Sequence, residues 1–318
     1  MKFSTLFGSV ALLTIATAFS AHAADRVIAG MVFQQDQFFR TIQIGMEAAA
    51  KKQGVELLQA NSDNKPEKEQ SLVNTYVSRK VDAIVISPLS KTASAAALNR
   101  AKDAGIKVIT YNSTIEGDTP AAFINSSQED LGAETGKAAA AFIKEKLGGK
   151  ANIAVLQFKS QVPEQSAARV GGFTKAVAAG GEVKVVADQD AWLAEKAVSV
   201  TNDILTAHPE VNIIYAANEG GTVGAVQAVR NSGKQGKVFV FGIDGSQQLV
   251  NFLLSDDNVL QAVTAQQPYE IGYTAVETAI AGLDGKTTEK EIIVPGKALN
   301  RNDPQGVKAF GDELKKYK

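Results

Sequence analysis

Two hydrophobic periods alternate along this chain. Short β-branched runs, in which apolar residues follow one another almost unbroken, are separated by longer segments in which they return every three or four positions. The first run, Val27–Val32, reads as a strand buried on both faces. Phe39, Ile42, Met46 and Ala49 then recur at helical spacing, and Gly54 ends that helix. Val55–Ala60 is the next predicted strand. Pro66, Glu67 and Glu69 mark the first turn of a helix running to about Arg79, because proline and acidic side chains both suit a helix N-terminus. Val81–Ser87 reads as a strand, Ala93–Ala104 as a helix and Ile106–Tyr111 as a strand. The alternation resumes with strands at Asn152–Gln157, Glu182–Ala187, Val211–Ala216 and Val238–Ile243, with helices between them. Strands that alternate with helices predict an α/β protein with doubly wound parallel sheets covered on both faces.

The pattern repeats faintly. Val81–Ile86, a helix, Ala104-Gly105 and Val108–Asn112 form one block. Val211–Ala216, a helix, Ser232-Gly233 and Phe239–Asp244 form another. Any two β-α-β units look somewhat alike, but the echo places Asn112 and Asp244 at equivalent positions, just past the end of a strand. Ligands of open parallel sheets bind outside the carboxyl ends of the strands, so two such lobes facing each other would share one cleft. The chain of 318 residues is long for one core and comfortable for two. No long linker separates the halves, and the polar segment near Asn125–Asp130 is the expected hinge.

The N-terminus stands outside this pattern. Lys2 supplies a positive charge, an apolar stretch runs from Leu6 to Phe19, and Ala21-His22-Ala23 has the small-x-small form of a signal-peptidase site. Residues 1–23 are therefore expected to be a cleaved signal peptide. A spanning helix needs about 20 apolar residues, more than this run provides. The protein is expected in a periplasm, without disulfides or a lipid anchor, since the chain has no cysteine.

Composition narrows the function. Apolar residues make up 45% and charged residues 21%, an ordinary globular balance, and a net charge of −1 offers no basic field for nucleic acid. No G-x-G-x-x-G follows a strand, and Gly285-Lys286-Thr287 lacks the first glycine of a phosphate loop, because position 280 is Ile280. His208 would be the one histidine left after cleavage, and it reads as a helix end before Pro209 rather than a base. Neither a catalytic set, nor a metal cluster, nor a cofactor motif is spaced along the chain. A binding protein without enzymatic activity or cofactor is expected.

Phe38-Phe39, Ala167–Phe173, Thr206–Pro209, Ala217-Asn218-Glu219, Gly242–Gly245 and Ala265–Pro268, in this order and spacing, carry a resemblance to the ribose-binding-protein-like, type I periplasmic binding proteins of sugar ABC transporters. The resemblance covers essentially the whole mature chain. It implies two similar doubly wound lobes joined by a three-segment hinge, with crossings near Ser126-Ser127, Gln266 and Val294. The first lobe would hold residues 24–126 and 267–294, and the second 127–266 and 295–318. It further implies a monomer that closes on one small neutral carbohydrate or polyol and presents it to an ABC permease. A periplasmic sensor or signal-molecule receptor of the same fold is the alternative, and a sugar-processing enzyme is a weaker one. Repressors that share the fold carry a helix-turn-helix where this chain has its leader.

The resemblance also implies a ligand set. Phe38 and Phe39 match the stacking pair of the first lobe, and Trp192 the aromatic of the second, so that a sugar ring would lie between them. Arg169, Asn218, Asp244 and Gln266 match the polar set, in which a carboxylate accepts from two hydroxyls and a guanidinium donates to two oxygens. Simpler roles exist for each: core packing for one phenylalanine or for Trp192, a turn at Asp244-Gly245, a surface salt bridge for Arg169, a helix cap for Asn218. Two departures alter the pocket. Asn112 and Ser113 stand where ribose binders of the family have an Asp-Arg pair, and Asp36 stands where asparagine is common. The resemblance therefore does not imply ribose as the ligand.

Overall fold

The computed structural model describes residues 26–317. The leader inferred at residues 1–23 lies outside them. Twelve strands among the described residues form two six-stranded sheets. The first contains β1 (Val27–Val32), β2 (Glu56–Asn61), β3 (Ala83–Ile86), β4 (Lys107–Tyr111), β5 (Ala122–Asn125) and β11 (Glu291–Ile293), in the order β11-β5-β4-β3-β1-β2. The second contains β6 (Lys150–Gln157), β7 (Glu182–Asp190), β8 (Ile213–Ala216), β9 (Phe239–Ile243), β10 (Leu260–Ala265) and β12 (Lys297–Asn300), in the order β12-β10-β9-β8-β6-β7. The two orders superimpose strand for strand. Pairing is parallel throughout, except that β12 runs antiparallel to β10.

Each sheet is covered on both faces, as its apolar runs require. Along β1, Ile28 and Val32 face α1 (Gln37–Gln53) and α9 (Pro268–Leu283), while Ala29 and Met31 face α2 (Pro66–Arg79) and α3 (Ala95–Asp103). The second sheet lies between α4 (Gln128–Lys146) with α5 (Pro163–Val177) on one face and α6 (Ala194–Ala207), α7 (Glu219–Asn231), α8 (Gln247–Leu253) and α10 (Pro304–Lys315) on the other. Local signals place the helix ends. Pro66 opens α2, and Gly54 ends α1 in the left-handed conformation at φ 68°.

Two helices change sides. The chain leaves the first sheet after β5, yet the helix that follows, α4, packs on the second sheet against α5. It leaves the second sheet after β10, and α9 packs on the first against α1. A third passage runs from β11 to β12. The passages lie side by side: Val294 N–H donates to the Asn125 carbonyl at 2.7 Å, and Gln267 Nε2 donates to the Pro295 carbonyl at 2.9 Å.

Four strands escape the hydrophobic pattern. β10 is buried at all six positions yet contains Gln261 and Thr264, which interrupt its apolar run. Tertiary partners make them tolerable: Thr264 Oγ1 lies 2.7 Å from Thr135 Oγ1, and Gln261 Nε2 donates to the Asn258 carbonyl at 2.7 Å. β5, β11 and β12 are only three or four residues long. The polar segment near Asn125–Asp130 is mostly regular structure: Asn125 ends β5 and Gln128 begins α4, so Ser126-Ser127 alone connects them. Ser127 caps α4 by accepting from Asp130 N–H at 3.2 Å.

The exchanged helices approach their neighbours at glycines. A Cβ on Gly132 of α4 would stand 1.9 Å from the Arg169 carbonyl oxygen of α5, and one on Gly172 of α5 would stand 2.0 Å from the Glu129 carbonyl oxygen. The α1–α9 contact repeats the device: a Cβ on Gly45 would meet the Tyr269 carbonyl oxygen at 2.1 Å and one on Gly272 that of Ile42 at 2.0 Å. Gly172→Ala must therefore separate two backbones and is expected to destabilise the protein by about 1–3 kcal/mol. Gly171→Ala, one residue earlier on the same helix with no atom within 4 Å of its Cβ, is expected to be neutral or to stabilise by up to about 1 kcal/mol. Urea unfolding of both variants checks this pair of opposite signs.

Candidate functional site

The carboxyl ends of the two sheets border one cleft of about 390 Å³. Its first wall comes from the segment after β1 and the start of α1. Asp36 caps α1 by accepting from Phe39 N–H at 2.9 Å, and its second oxygen accepts from Gln34 Nε2 at 2.5 Å. That cap fixes the first turn and with it the two phenylalanines. Phe38 is half-buried and lines the cleft, its ring edge-on to Phe39 at 5.3 Å. Phe39 is 3% exposed and packs in the core with Ile42, touching the cleft lining from behind beside Phe33.

Two strand ends meet the cleft in the same unusual conformation. Asn112 follows β4 with φ 58° and Asp244 follows β9 with φ 74°. A non-glycine residue in this region is uncommon and is favoured for Asn and Asp. In both, the backbone N–H stays in the sheet: Asn112 donates to the Ile124 carbonyl and Asp244 to that of Thr264, each at 2.9 Å. The turn away from the sheet then presents the side chain. Asp244 Oδ2 accepts from Glu219 N–H at 3.0 Å and lies 3.6 Å from Arg169 Nη1.

Arg169 is not a surface residue. It is 5% exposed, and its guanidinium donates from Nε to Gln128 Oε1 at 2.8 Å, from Nη1 to the Ala217 carbonyl at 2.9 Å and from Nη2 to Gln266 Oε1 at 3.3 Å. The Phe158 ring lies beneath it at 5.1 Å. Asn218 caps α7 through Oδ1, which accepts from Gly221 N–H at 3.2 Å, and its Nδ2 donates to the Trp192 carbonyl at 2.9 Å. Asp36, Phe38, Phe39, Asn112, Arg169, Asn218, Asp244 and Gln266 all line the cleft.

Two of the residues singled out in the sequence are not among those lining it. The Ser113 hydroxyl donates to the Pro88 carbonyl at 2.7 Å and lies 3.1 Å from the Ser87 hydroxyl, so it secures the loop after β3. Trp192 is half-buried against the core between α5 and the second sheet, and its carbonyl accepts from Asn218 Nδ2. The aromatic side chain on the second wall is Phe158. The internal echo could have found it, because Phe158 follows β6 as Phe33 follows β1. Gln161, Gln165, Glu219 and Ser246 also line that wall. Burial raises the Glu219 carboxyl above the usual carboxylate range, and the Asp244 and Asp36 carboxylates add to the effect against a hydrogen bond from Ser246. Outside the cleft, Lys91 of the first lobe lies 2.5 Å from Glu164 of the second, an exposed pair.

Because three acceptors converge on Arg169, Arg169→Ala would take a donor from the buried Ala217 carbonyl and from the half-buried Gln128 and Gln266 oxygens. It is expected to lower stability by about 2 kcal/mol or more, read as a fall in the urea midpoint with the slope unchanged.

Residues 29–287 match the family described as periplasmic binding protein domain. The ribose import binding protein of Bacillus subtilis is 32% identical over 261 residues, 82% of this chain and 82% of that protein. The xylitol-binding protein of Mycolicibacterium smegmatis is 27% identical over 276 residues, 84% of this chain and 76% of that protein. Among solved structures, an ABC transporter periplasmic solute-binding protein from Actinobacillus succinogenes with bound D-allose aligns with a TM-score of 0.77 at 28% identity, covering 88% of this chain and 99% of that one.

Proposed function

The chain belongs to the periplasmic binding protein domain family, a family of non-catalytic solute-binding proteins, and from that premise we propose that it is the sugar-binding component of an ABC importer. Its ligand is one small neutral carbohydrate or polyol, held between lobes 24–126 with 267–294 and 127–266 with 295–318 and released to a membrane permease. One observation carries the reading. Asn112 and Asp244, equivalent strand ends of two similar sheets, open in the same left-handed conformation onto one cleft with Phe38 on one wall and Arg169 on the other. Sugars and polyols combine an apolar carbon face with a rim of hydroxyls. Phe38 suits the face. Asp36, Asp244, Asn112 and Gln266 offer acceptors to the rim, and Arg169 offers the N–H groups its protein partners leave. Asn218 and Phe39 shape the walls, and Trp192 supports the second wall through its carbonyl.

Ribose is not singled out. With Asn112 in place of a carboxylate, and Ser113 committed to the Pro88 carbonyl, the first lobe lacks the Asp-Arg pair of ribose binders. A ligand that touches both walls stabilises only the closed arrangement, so it shifts the population toward closure about the three passages.

A thermal-shift panel of D-ribose, D-allose, D-glucose, L-arabinose, xylitol and myo-inositol is expected to find at least one ligand that raises the melting temperature. Small-angle scattering with that ligand at saturation is expected to show a smaller radius of gyration. A panel without stabilisation, or binding without contraction, would count against the reading. The protein is further expected to be exported to the periplasm with cleavage after Ala23. N-terminal sequencing of periplasmic material should begin at Ala24, and a chain retained with residues 1–23 would refute export.

A further inference from the structure

We propose that Glu219 is a specificity-determining contact of this cleft: with Asp36 opposite, it favours ligands that present hydroxyl hydrogens to both lobes and disfavours those that carry a carboxylate. The proposal rests on the sugar-binding reading above and deepens it.

Glu219 is the first residue of α7, after the cap Asn218. An acid at that position ordinarily serves the helix, whose N-terminal dipole holds the carboxylate ionised and lowers its pKa. Glu219 departs from that behaviour. It lines the cleft, half-buried, with Asp244 after β9 and Ser246 at the start of α8 beside it and Asp36 before α1 facing it from the other lobe. Its titration moves upward, as burial among like charges requires.

The cleft lining sets three carboxylates, Asp36, Glu219 and Asp244, against a single cation. Arg169 of α5 is the one basic residue of the lining, and its guanidinium already serves Gln128, the Ala217 carbonyl, Gln266 and, at 3.6 Å, Asp244. Among the described residues, Asp36 and Glu219 form no ion pair. Beyond the hydrogen bonds from Phe39 N–H and Gln34 to Asp36 and from Ser246 to Glu219, the two carboxylates, one from each lobe, keep lone pairs that whatever fills the cleft can satisfy. Hydroxyl hydrogens do this with charge-assisted hydrogen bonds. A ligand carboxylate would bring another desolvated negative charge to the same place. The pair also ties closure to occupancy: bringing the lobes together on an empty cleft would set the two charges against each other, and a bound hydroxyl pair relieves that opposition.

The test uses the mature protein and calorimetric titration with D-ribose, D-allose and xylitol against D-ribonate, D-allonate and D-xylonate. At pH 7.5, Glu219→Gln is expected to weaken binding of the tightest neutral probe tenfold or more. The pH dependence separates a ligand contact from a structural role. Ligand hydroxyls donate to the ionised carboxyl, so parent affinity is full above the raised Glu219 pKa and falls as pH drops through it. Glu219→Gln should lose that limb, and Glu219→Asp should keep it. The double variant Asp36→Asn with Glu219→Gln, which retains a side-chain oxygen to cap α1, should reduce discrimination against the matching acid at least tenfold. If Glu219→Gln binds the neutral probe within twofold of parent with the same pH profile, or if the double variant discriminates as parent does, the proposal is wrong and the sugar-binding reading stands. If the parent binds none of the neutral probes while binding an acid, both fall.

Discussion

The buried guanidinium of Arg169 is the interaction on which the two-lobed architecture converges. Its partners are not chosen from one neighbourhood of the chain. Gln128 begins α4 immediately after the passage from the first sheet, Gln266 opens the passage that leads back to it, and Ala217 and Asp244 follow two central strands of the second sheet. One side chain thus ties two of the three passages to the second lobe and sets the polar wall of the cleft. Removing a charge of this kind costs more than its own hydrogen bonds, because the buried Ala217 carbonyl is left without this donor and the half-buried Gln128 and Gln266 oxygens lose theirs.

The exchange of α4 and α9 gives these passages their consequence. Each lobe is roofed by a helix delivered from the opposite sheet, and each such helix is seated by glycines that let two backbones touch. Within a lobe, packing is close and resists deformation. Between lobes, the connections are short extended segments held to one another by Val294 with Asn125 and Gln267 with Pro295. Rigid bodies joined by a narrow set of parallel connections can rotate while their cores stay intact. The site lies between walls that belong to different bodies, so such a rotation would change its width.

Charge distribution in the cleft follows from the same geometry. Strand ends and helix starts of both sheets point inward; Asn and Asp suit both, since they cap helices and tolerate the left-handed conformation, and Ser suits the caps. Asp36 and Asn218 are caps first, and their remaining atoms bond Gln34 and the Trp192 carbonyl at the cleft wall. A cleft built from caps is therefore rich in acceptors, and hydroxylated ligands are its natural complement.

Much of this was legible in the residues alone. The alternation of apolar runs with helical spacing determined parallel sheets covered on both faces, because a strand buried on both sides must be apolar throughout while a covering helix needs only one stripe. The equivalence of Asn112 and Asp244 was also local, since each is the first residue past a recognisable strand. Other features depend on segments far apart in the chain. β10 was hidden because Gln261 and Thr264 look polar until Asn258 and Thr135 are seen to satisfy them. Arg169 could be a ligand contact or a surface cation from the sequence, and its burial is visible only once Gln128, Ala217 and Gln266 are brought around it. Phe158 lines the second wall while Trp192 packs, partly buried, against the core beside it, a difference that the aromatic residue types alone do not settle. Which charges share the cleft was beyond the sequence altogether, because Asp36 and Glu219 come to line it together only when the carboxyl ends of two separate sheets border one space.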